Sequence, residues 1–288
     1  MKIAITGAEG MLGRALQASF SSRHDVSAWT RGDLDICDAP AVAAKLEEGG
    51  FDWLLNAAAY TKVDEADREP DEAFRANLMG CRNLASACSE SGCRLFAVST
   101  DYVFDGSSLS PYPEWSPPAP LNVYGQSKWA GEQAVRQLCS RHLIVRTSWL
   151  YGAGGRHFVD TMLSLARKRT EIEVVADQVG SPTWTEDLAR MVVRLVEDDC
   201  SGTYHITNGG SCSWYEFARA IIAEAGLNTT VNATTTADYG RKHLEREGWR
   251  LVDRPSYSVL DNAMLRLEGR TPLRPWRESL KAFLESRR

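Results

Sequence analysis

The chain is predicted to form a doubly wound parallel α/β sheet with a smaller α/β lobe attached. Three observations predict this. Short apolar runs alternate with longer amphipathic stretches through the first half, which is the pattern of a parallel sheet covered by helices on both faces. The first apolar run leads directly into a glycine-rich turn, Thr6 to Gly13, the strand-turn-helix opening of a Rossmann-type fold. The 288 residues, 43% hydrophobic and 25% charged, suffice for a large core, and a mean hydropathy of −0.32 argues against a disordered or membrane-embedded chain.

In chain order, strands are expected at Lys2 to Thr6, Val26 to Thr30, Trp53 to Asn56, Arg94 to Ser99 and Leu143 to Thr147. Between them Leu12, Leu16 and Phe20 recur at helical spacing, as do Phe74, Leu78, Cys81, Leu84, Ala85 and Cys88, each series giving one apolar face. Five prolines between Ser107 and Pro120 impose an irregular loop, and a helix is expected from Gln126 to Ser140. In the second half, helices are expected at Phe158 to Arg169, Thr185 to Val196 and Trp214 to Ala225, the last opened by a Ser213/Glu216 capping box. Strands are expected at Glu171 to Val175, Thr203 to Ile206 and Thr229 to Thr235. The resulting division is a dinucleotide-binding Rossmann domain over 1–150, rejoined by about 171–207 and 236–262, interleaved with a second lobe drawn mainly from 151–288.

A net charge of −5 and the lack of a dense Lys/Arg cluster argue against nucleic acid or a membrane surface as partner. The seven cysteines are scattered without a C-x-x-C pair, as expected of reduced thiols. The first residues lack the apolar stretch of a secretory signal. No run approaches the roughly 18 apolar residues of a membrane span. A cytoplasmic location is expected.

Gly7, Gly10 and Gly13, with Met11 and Leu12 between them, form a G-x-x-G-x-x-G turn that opens a helix. Such a turn lets backbone approach a pyrophosphate at the helix N-terminus. Arg31 stands at the end of the second strand, where it could accept the 2′-phosphate of NADP or be an ordinary surface arginine. Asp35 and Ile36 fall where an adenine would be flanked, and Ala57, Ala58, Ala59 and Tyr60 follow the third strand with little side-chain bulk near the cofactor. NADPH is preferred, with NADH also compatible.

Tyr124 and Lys128 are spaced to share one helix face. A neighbouring ammonium is expected to lower the tyrosine pKa from about 10 and suit it as a proton donor. The pair lies downstream of Thr100 and Asp101, at the carboxyl edge of the fourth strand, where such folds bind ligands.

With these residues in view, the sequence resembles the extended short-chain dehydrogenase/reductase superfamily and, within it, the dTDP-4-dehydrorhamnose reductase family. The stretches that carry the resemblance are TGAEGMLG (6–13), NAAAYTKVDEAD (56–67), STDYVFDG (99–106), PLNVYGQSKWAGE (120–132), RTSWLYG (146–152), DQVGSPTW (177–184) and RPSYSVLD (254–261). The resemblance implies hydride transfer from NAD(P)H to C4 of a dTDP-linked 4-keto-6-deoxy sugar. Tyr124 would be the proton donor, Lys128 the ribose ligand, and Thr100 a hydrogen-bond partner of the substrate oxygen or the tyrosine. It also implies sugar-nucleotide contacts from Asp101, Trp149, Gln178 and Arg254. Trp149 has a plain alternative as a core residue, and Gln178 and Arg254 as surface polar groups.

Some such reductases form a metal-bridged dimer through glutamates. Ala15 occupies one of those positions, although Glu186 is retained. A methyl group cannot ligate a hard cation, so no metal site is expected, Mg²⁺ is doubtful, and the chain is expected as a monomer or homodimer. His157, in an Arg156-His157-Phe158 turn unusual for the family, reads as a loop residue. Two other functions remain open: an NDP-sugar epimerase or reductase for another dTDP-4-keto sugar, and a non-catalytic regulatory subunit.

Overall fold

The computed structural model describes residues 1–287. Its strands longer than two residues are β1 (Lys2–Thr6), β2 (Asp25–Trp29), β3 (Trp53–Asn56), β4 (Arg94–Thr100), β5 (His142–Thr147), β6 (Glu171–Val175), β7 (Gly202–His205) and β8 (Thr230–Thr234). Six of them form one parallel sheet in the order β7-β5-β4-β3-β1-β2. From β1 the chain steps outward to β2, then returns past β1 to β3. The carboxyl ends of β1 and β3 therefore flank the crevice where ligands bind in open α/β sheets.

Alternation along the strands divides the core into two layers. Ile3, Ile5, Leu55, Phe96 and Val145 face helices α1 (Met11–Phe20) and, later in the chain, Thr185–Glu197. Ala4, Leu54, Leu95 and Ile144 face α2 (Ala39–Gly49) and α3 (Cys81–Ser91). Because both faces are covered, the strands read as continuous apolar runs, as parallel strands should.

The remaining long helices are α4 (Val123–Leu138), α5 (Phe158–Ala166), α6 (Thr185–Glu197), α7 (Trp214–Glu224), α8 (Thr236–Glu247) and α9 (Trp276–Glu285). A third core joins α5, α7 and α9 through Val159, Leu163, Phe217, Ile221, Leu280 and Phe283. Ser213 and Glu216 form the expected capping box at the start of α7.

Several expectations need correction. β6 does not rejoin the large sheet; it pairs in parallel with β8 in a separate two-stranded sheet, and 236–262 supplies α8 and an extended strap. The series from Phe74 to Cys88 is not one helix. Pro70–Phe74 passes into a π-helical segment, Arg75–Gly80, before α3 begins. Finally, α4 starts at Val123 because Asn122 accepts a hydrogen bond from the Gly125 amide at 2.9 Å. That cap places Tyr124 inside the first turn, on the same helix as Lys128.

Candidate active site

The glycine turn is built for close backbone approach. Gly7 adopts φ 68°, and a Cβ there would lie 2.6 Å from the Ala58 nitrogen; a Cβ on Gly13 would lie 2.1 Å from the Gly7 oxygen. The turn is closed by the Gly10 amide donating to the Gly7 carbonyl at 3.0 Å. No side chain caps α1, and no acidic residue occupies its first turn, so the backbone N–H groups of Met11 and Leu12 remain available to an anion. Below the turn, the Asn56 carboxamide oxygen accepts from the Thr6 hydroxyl and the Ala58 amide, fixing β1 to β3 at the crevice. A pyrophosphate-bearing dinucleotide fits this cradle.

The adenine end is less uniform. Arg31 is exposed at the edge of the crevice. The Asp35 carboxylate accepts from the Cys37 amide and pairs with Arg75 at 3.5 Å; the Cys37 amide is the main reason its pKa sits below the ordinary range. Ile36, expected beside an adenine, instead points into the core against Gly80. The Leu12 side chain is likewise core, and only its backbone faces the turn.

Sequence reasoning overlooked Asn77, which lies in the π-helical segment and is 1% exposed. Its carboxamide accepts from the Tyr60 amide at 2.9 Å, and donates to the Tyr60 carbonyl at 3.1 Å and to the Ser127 hydroxyl at 2.9 Å. One residue thus ties the Ala57–Tyr60 segment to α4. The only sequence signal was a polar residue on the apolar face of an expected helix, and π-bulges often mark such sites.

Thr100, at the end of β4, donates to Asp101 at 3.0 Å and accepts from the Tyr102 amide at 3.2 Å. Tyr102 packs edge-on against Tyr124, with centroids 5.5 Å apart. Asp101 is 2% exposed, and its Oδ2 has no hydrogen-bond partner among the described residues. Burial pushes its pKa up to about 6, opposed by the Ser258 and Thr100 hydroxyls. Such a carboxyl suits hydrogen bonding to an uncharged polar ligand.

The expected lowering of the Tyr124 pKa by Lys128 is not what the structure gives. Burial pushes the phenol above its ordinary value, Thr100 opposes, and the Asp101 and Tyr102 charges add to the rise. The Lys128 ammonium is turned to the Val98 carbonyl at 2.7 Å, and burial lowers its own pKa. Tyr124 therefore keeps its proton through neutral pH, as a proton donor must.

Beside this edge lies a cavity of about 1130 Å³, walled by Tyr102, Phe158, Gln178, Trp214 and Arg254 and roofed by α8 with the strap that follows it. Gln178 donates to Thr236 at 3.0 Å. Arg254 pairs with Asp64 at 2.6 Å, the Val252 amide donates to the same carboxylate, and Arg68 stacks 3.8 Å over the Trp249 ring. The strap is therefore pinned to the large-sheet side at two points. Trp149, held at φ 47°, lies face to face with Trp214 at 3.4 Å and close against Gly180. Of this stacked pair, Trp214 and not Trp149 walls the cavity. His157 caps α5 by accepting from the Asp160 amide at 3.3 Å, in keeping with a loop residue. Ala15 packs in the core, and Glu186 pairs with Arg190.

The family model described as RmlD substrate binding domain matches residues 1–288. The chain is 40% identical over 287 residues to the spore coat polysaccharide biosynthesis protein SpsK of Bacillus subtilis, covering 99% of this chain and 98% of that protein. It is 42% identical over 284 residues to a dTDP-4-dehydrorhamnose reductase of Streptomyces griseus, covering 96% and 90%. The crystal structure of the dTDP-4-dehydrorhamnose reductase of Bacillus anthracis in complex with NADP superposes with a TM-score of 0.94 at 42% identity, covering 99% of this chain and 100% of that one. Matched along its whole length, the chain belongs to the RmlD family, within the Rossmann-type α/β fold.

Proposed function

We propose that the protein reduces the C4 keto group of dTDP-4-dehydro-6-deoxy-L-mannose to give dTDP-L-rhamnose, using NADPH in preference to NADH. The observation that carries the reading is the convergence of Thr100, Tyr124 and Lys128 on the carboxyl end of β4, where Tyr102, packed on Tyr124, forms part of the wall of the large cavity. When bound, the dinucleotide supplies the hydride. Gly7, Gly10 and Gly13 would admit its pyrophosphate, Arg31 would offer a charge to a 2′-phosphate, and Lys128 would hold the ribose. Tyr124 delivers a proton to the oxygen at C4, and Thr100 and Asp101 orient that end of the sugar. Gln178, Arg254 and the aromatic wall hold the rest of the sugar nucleotide.

The chain is proposed to act in the cytoplasm as a monomer or homodimer. Among the described residues no helix is long and apolar enough to cross a membrane, and all seven cysteines are unpaired thiols. The direct test is NADPH oxidation against a panel of nucleotide-linked 4-keto sugars, with product stereochemistry read by NMR. Turnover of the dTDP-linked 4-keto-L-sugar to the L-rhamno product is expected. No turnover with any member would overturn the assignment.

Two substitutions test the binding parts. Arg31→Ala is expected to raise KM for NADPH about fivefold more than KM for NADH, as one charge-assisted contact to phosphate is lost. Equal changes would remove the 2′-phosphate role. Trp249→Ala loses the Arg68 stacking contact, worth about 1 kcal/mol, and is expected to raise KM for the sugar nucleotide about fivefold with kcat little changed. An unaltered KM would show that the strap plays no part in retaining it.

A further inference from the structure

Glu132 lies one helical turn beyond Lys128 on α4 and is 4% exposed. Its Oε1 accepts from the Ser99 hydroxyl at 2.5 Å and Arg146 Nε at 2.9 Å, and its Oε2 accepts from Arg146 Nη2 and Arg136 Nη2, both at 2.8 Å. Ser99 sits between Val98, whose carbonyl takes the Lys128 ammonium, and Thr100. Arg146 is the β5 partner of Ser99, and the next rung of the ladder pairs Thr100 with Thr147. A single carboxylate therefore ties α4 to β4 and β5 at the step immediately before the reaction edge.

The chain of contacts continues outward. Arg146 can only donate, so His205 accepts at Nε2 at 3.3 Å and donates from Nδ1 to the Tyr112 carbonyl at 2.9 Å. Burial and the Arg146 charge keep that imidazole neutral, with a pKa of about 3. Tyr112 belongs to the proline-rich loop, so the loop is linked through Arg146 to the same carboxylate. Replacing a buried ion pair by apolar groups is often neutral for stability. Stability alone is thus a weak reason for this pair beside Lys128.

We propose that Glu132 is a positioning residue, holding Lys128 on α4 and Thr100 on β4 in register for the reaction. The proposal rests on the reading of Thr100, Tyr124 and Lys128 as the reductase site. Lys128 is faced by the Val98 carbonyl from β4, by the Cys81 thiol from α3 and by Glu132 from its own helix. Glu132 is faced in turn by Arg146 from β5 and Arg136 from α4, with His205 of β7 behind Arg146. Its negative charge helps keep the ammonium protonated against burial.

The test uses the full chain and follows kcat, KM and their pH dependence in Glu132→Gln, Glu132→Asp and Ser99→Ala. Glu132→Gln keeps the shape and loses the charge. It is expected to lower kcat about ten- to a hundredfold, with KM for the sugar nucleotide within about threefold. The alkaline limb of its kcat profile should move to lower pH, because the ammonium loses a favourable neighbour. Glu132→Asp should restore that limb. Ser99→Ala leaves the Glu132–Arg146 pair in place and serves if Glu132→Gln does not fold; it is expected to lower kcat several-fold without moving the limb. A folded Glu132→Gln enzyme with an unmoved alkaline limb, or a Ser99→Ala enzyme with unchanged kcat where Glu132→Gln cannot be obtained, overturns the proposal. Unchanged turnover in Lys128→Ala would instead overturn the reading beneath it, so the two failures are distinguishable.

Discussion

Tyr124→Phe is expected to reduce turnover of the 4-keto sugar nucleotide by about 10²–10⁴-fold, the range for loss of a positioned general acid. NADPH binding should change little. The substitution removes one oxygen from a ring that still fits its place in the first turn of α4, edge-on to Tyr102. Hydride arriving at C4 leaves negative charge on the attached oxygen, and without the phenol no described side chain in the Thr100–Lys128 group is as well placed to supply the proton. Burial holds the Tyr124 pKa above its ordinary value, so the donor form predominates on both sides of neutrality. The wild-type rate should therefore not rise with pH through the neutral range on account of this group. Single-turnover kinetics, with cofactor affinity measured by calorimetry, would check both halves. Near-normal turnover in Tyr124→Phe would sink the assigned chemistry.

The large sheet and the grouping of Thr100, Tyr124 and Lys128 at its carboxyl edge were legible because their signals are local. Five apolar runs, a glycine turn and a Tyr/Lys pair at helical spacing each require only a few neighbouring residues to interpret. The structure moved the strand ends by at most one residue and drew Glu171–Val175 out of the large sheet, since an apolar run does not name its partner. The start of α4 was misplaced because the Asn122 cap went unread. Asp38 with Pro40 likewise marks the start of α2 and was overlooked. What the sequence left hidden was long-range. Asn77 meets Tyr60 and Ser127 across 17 and 50 residues, and Arg254 meets Asp64 across 190. Helix α8 has no buried residue, so no apolar stripe announced the roof of the cavity. The pKa of Tyr124 was misjudged for a related reason: spacing locates Lys128 beside it but says nothing of burial, which outweighs the charge.

Alanine substitution through the glycine turn should produce a graded loss, because the three positions differ in what a methyl group would meet. At Gly13 the new Cβ would stand 2.1 Å from the Gly7 oxygen and 2.9 Å from the Ala8 Cα, both backbone, so α1 must back away from β1. Overpacking of this kind costs about 1–3 kcal/mol, and 1.4 kcal/mol is tenfold in affinity. Gly13→Ala is therefore expected to weaken NADPH binding about tenfold or more and to lower Tm, because α1 also carries Leu12, Leu16 and Phe20 into the core against α6. Gly7→Ala combines contact at 2.6 Å with a φ of 68°, which a side chain rarely adopts, and should be comparably severe. Gly10→Ala meets only the Gly7 oxygen, at 3.3 Å, and its backbone is extended, so a loss of no more than about threefold is expected from so small an adjustment. Equal losses at all three positions would mean that sensitivity to added bulk resides in the bound cofactor. The steep dependence on position expected here would place it in the contact between the strand-to-helix turn and α1.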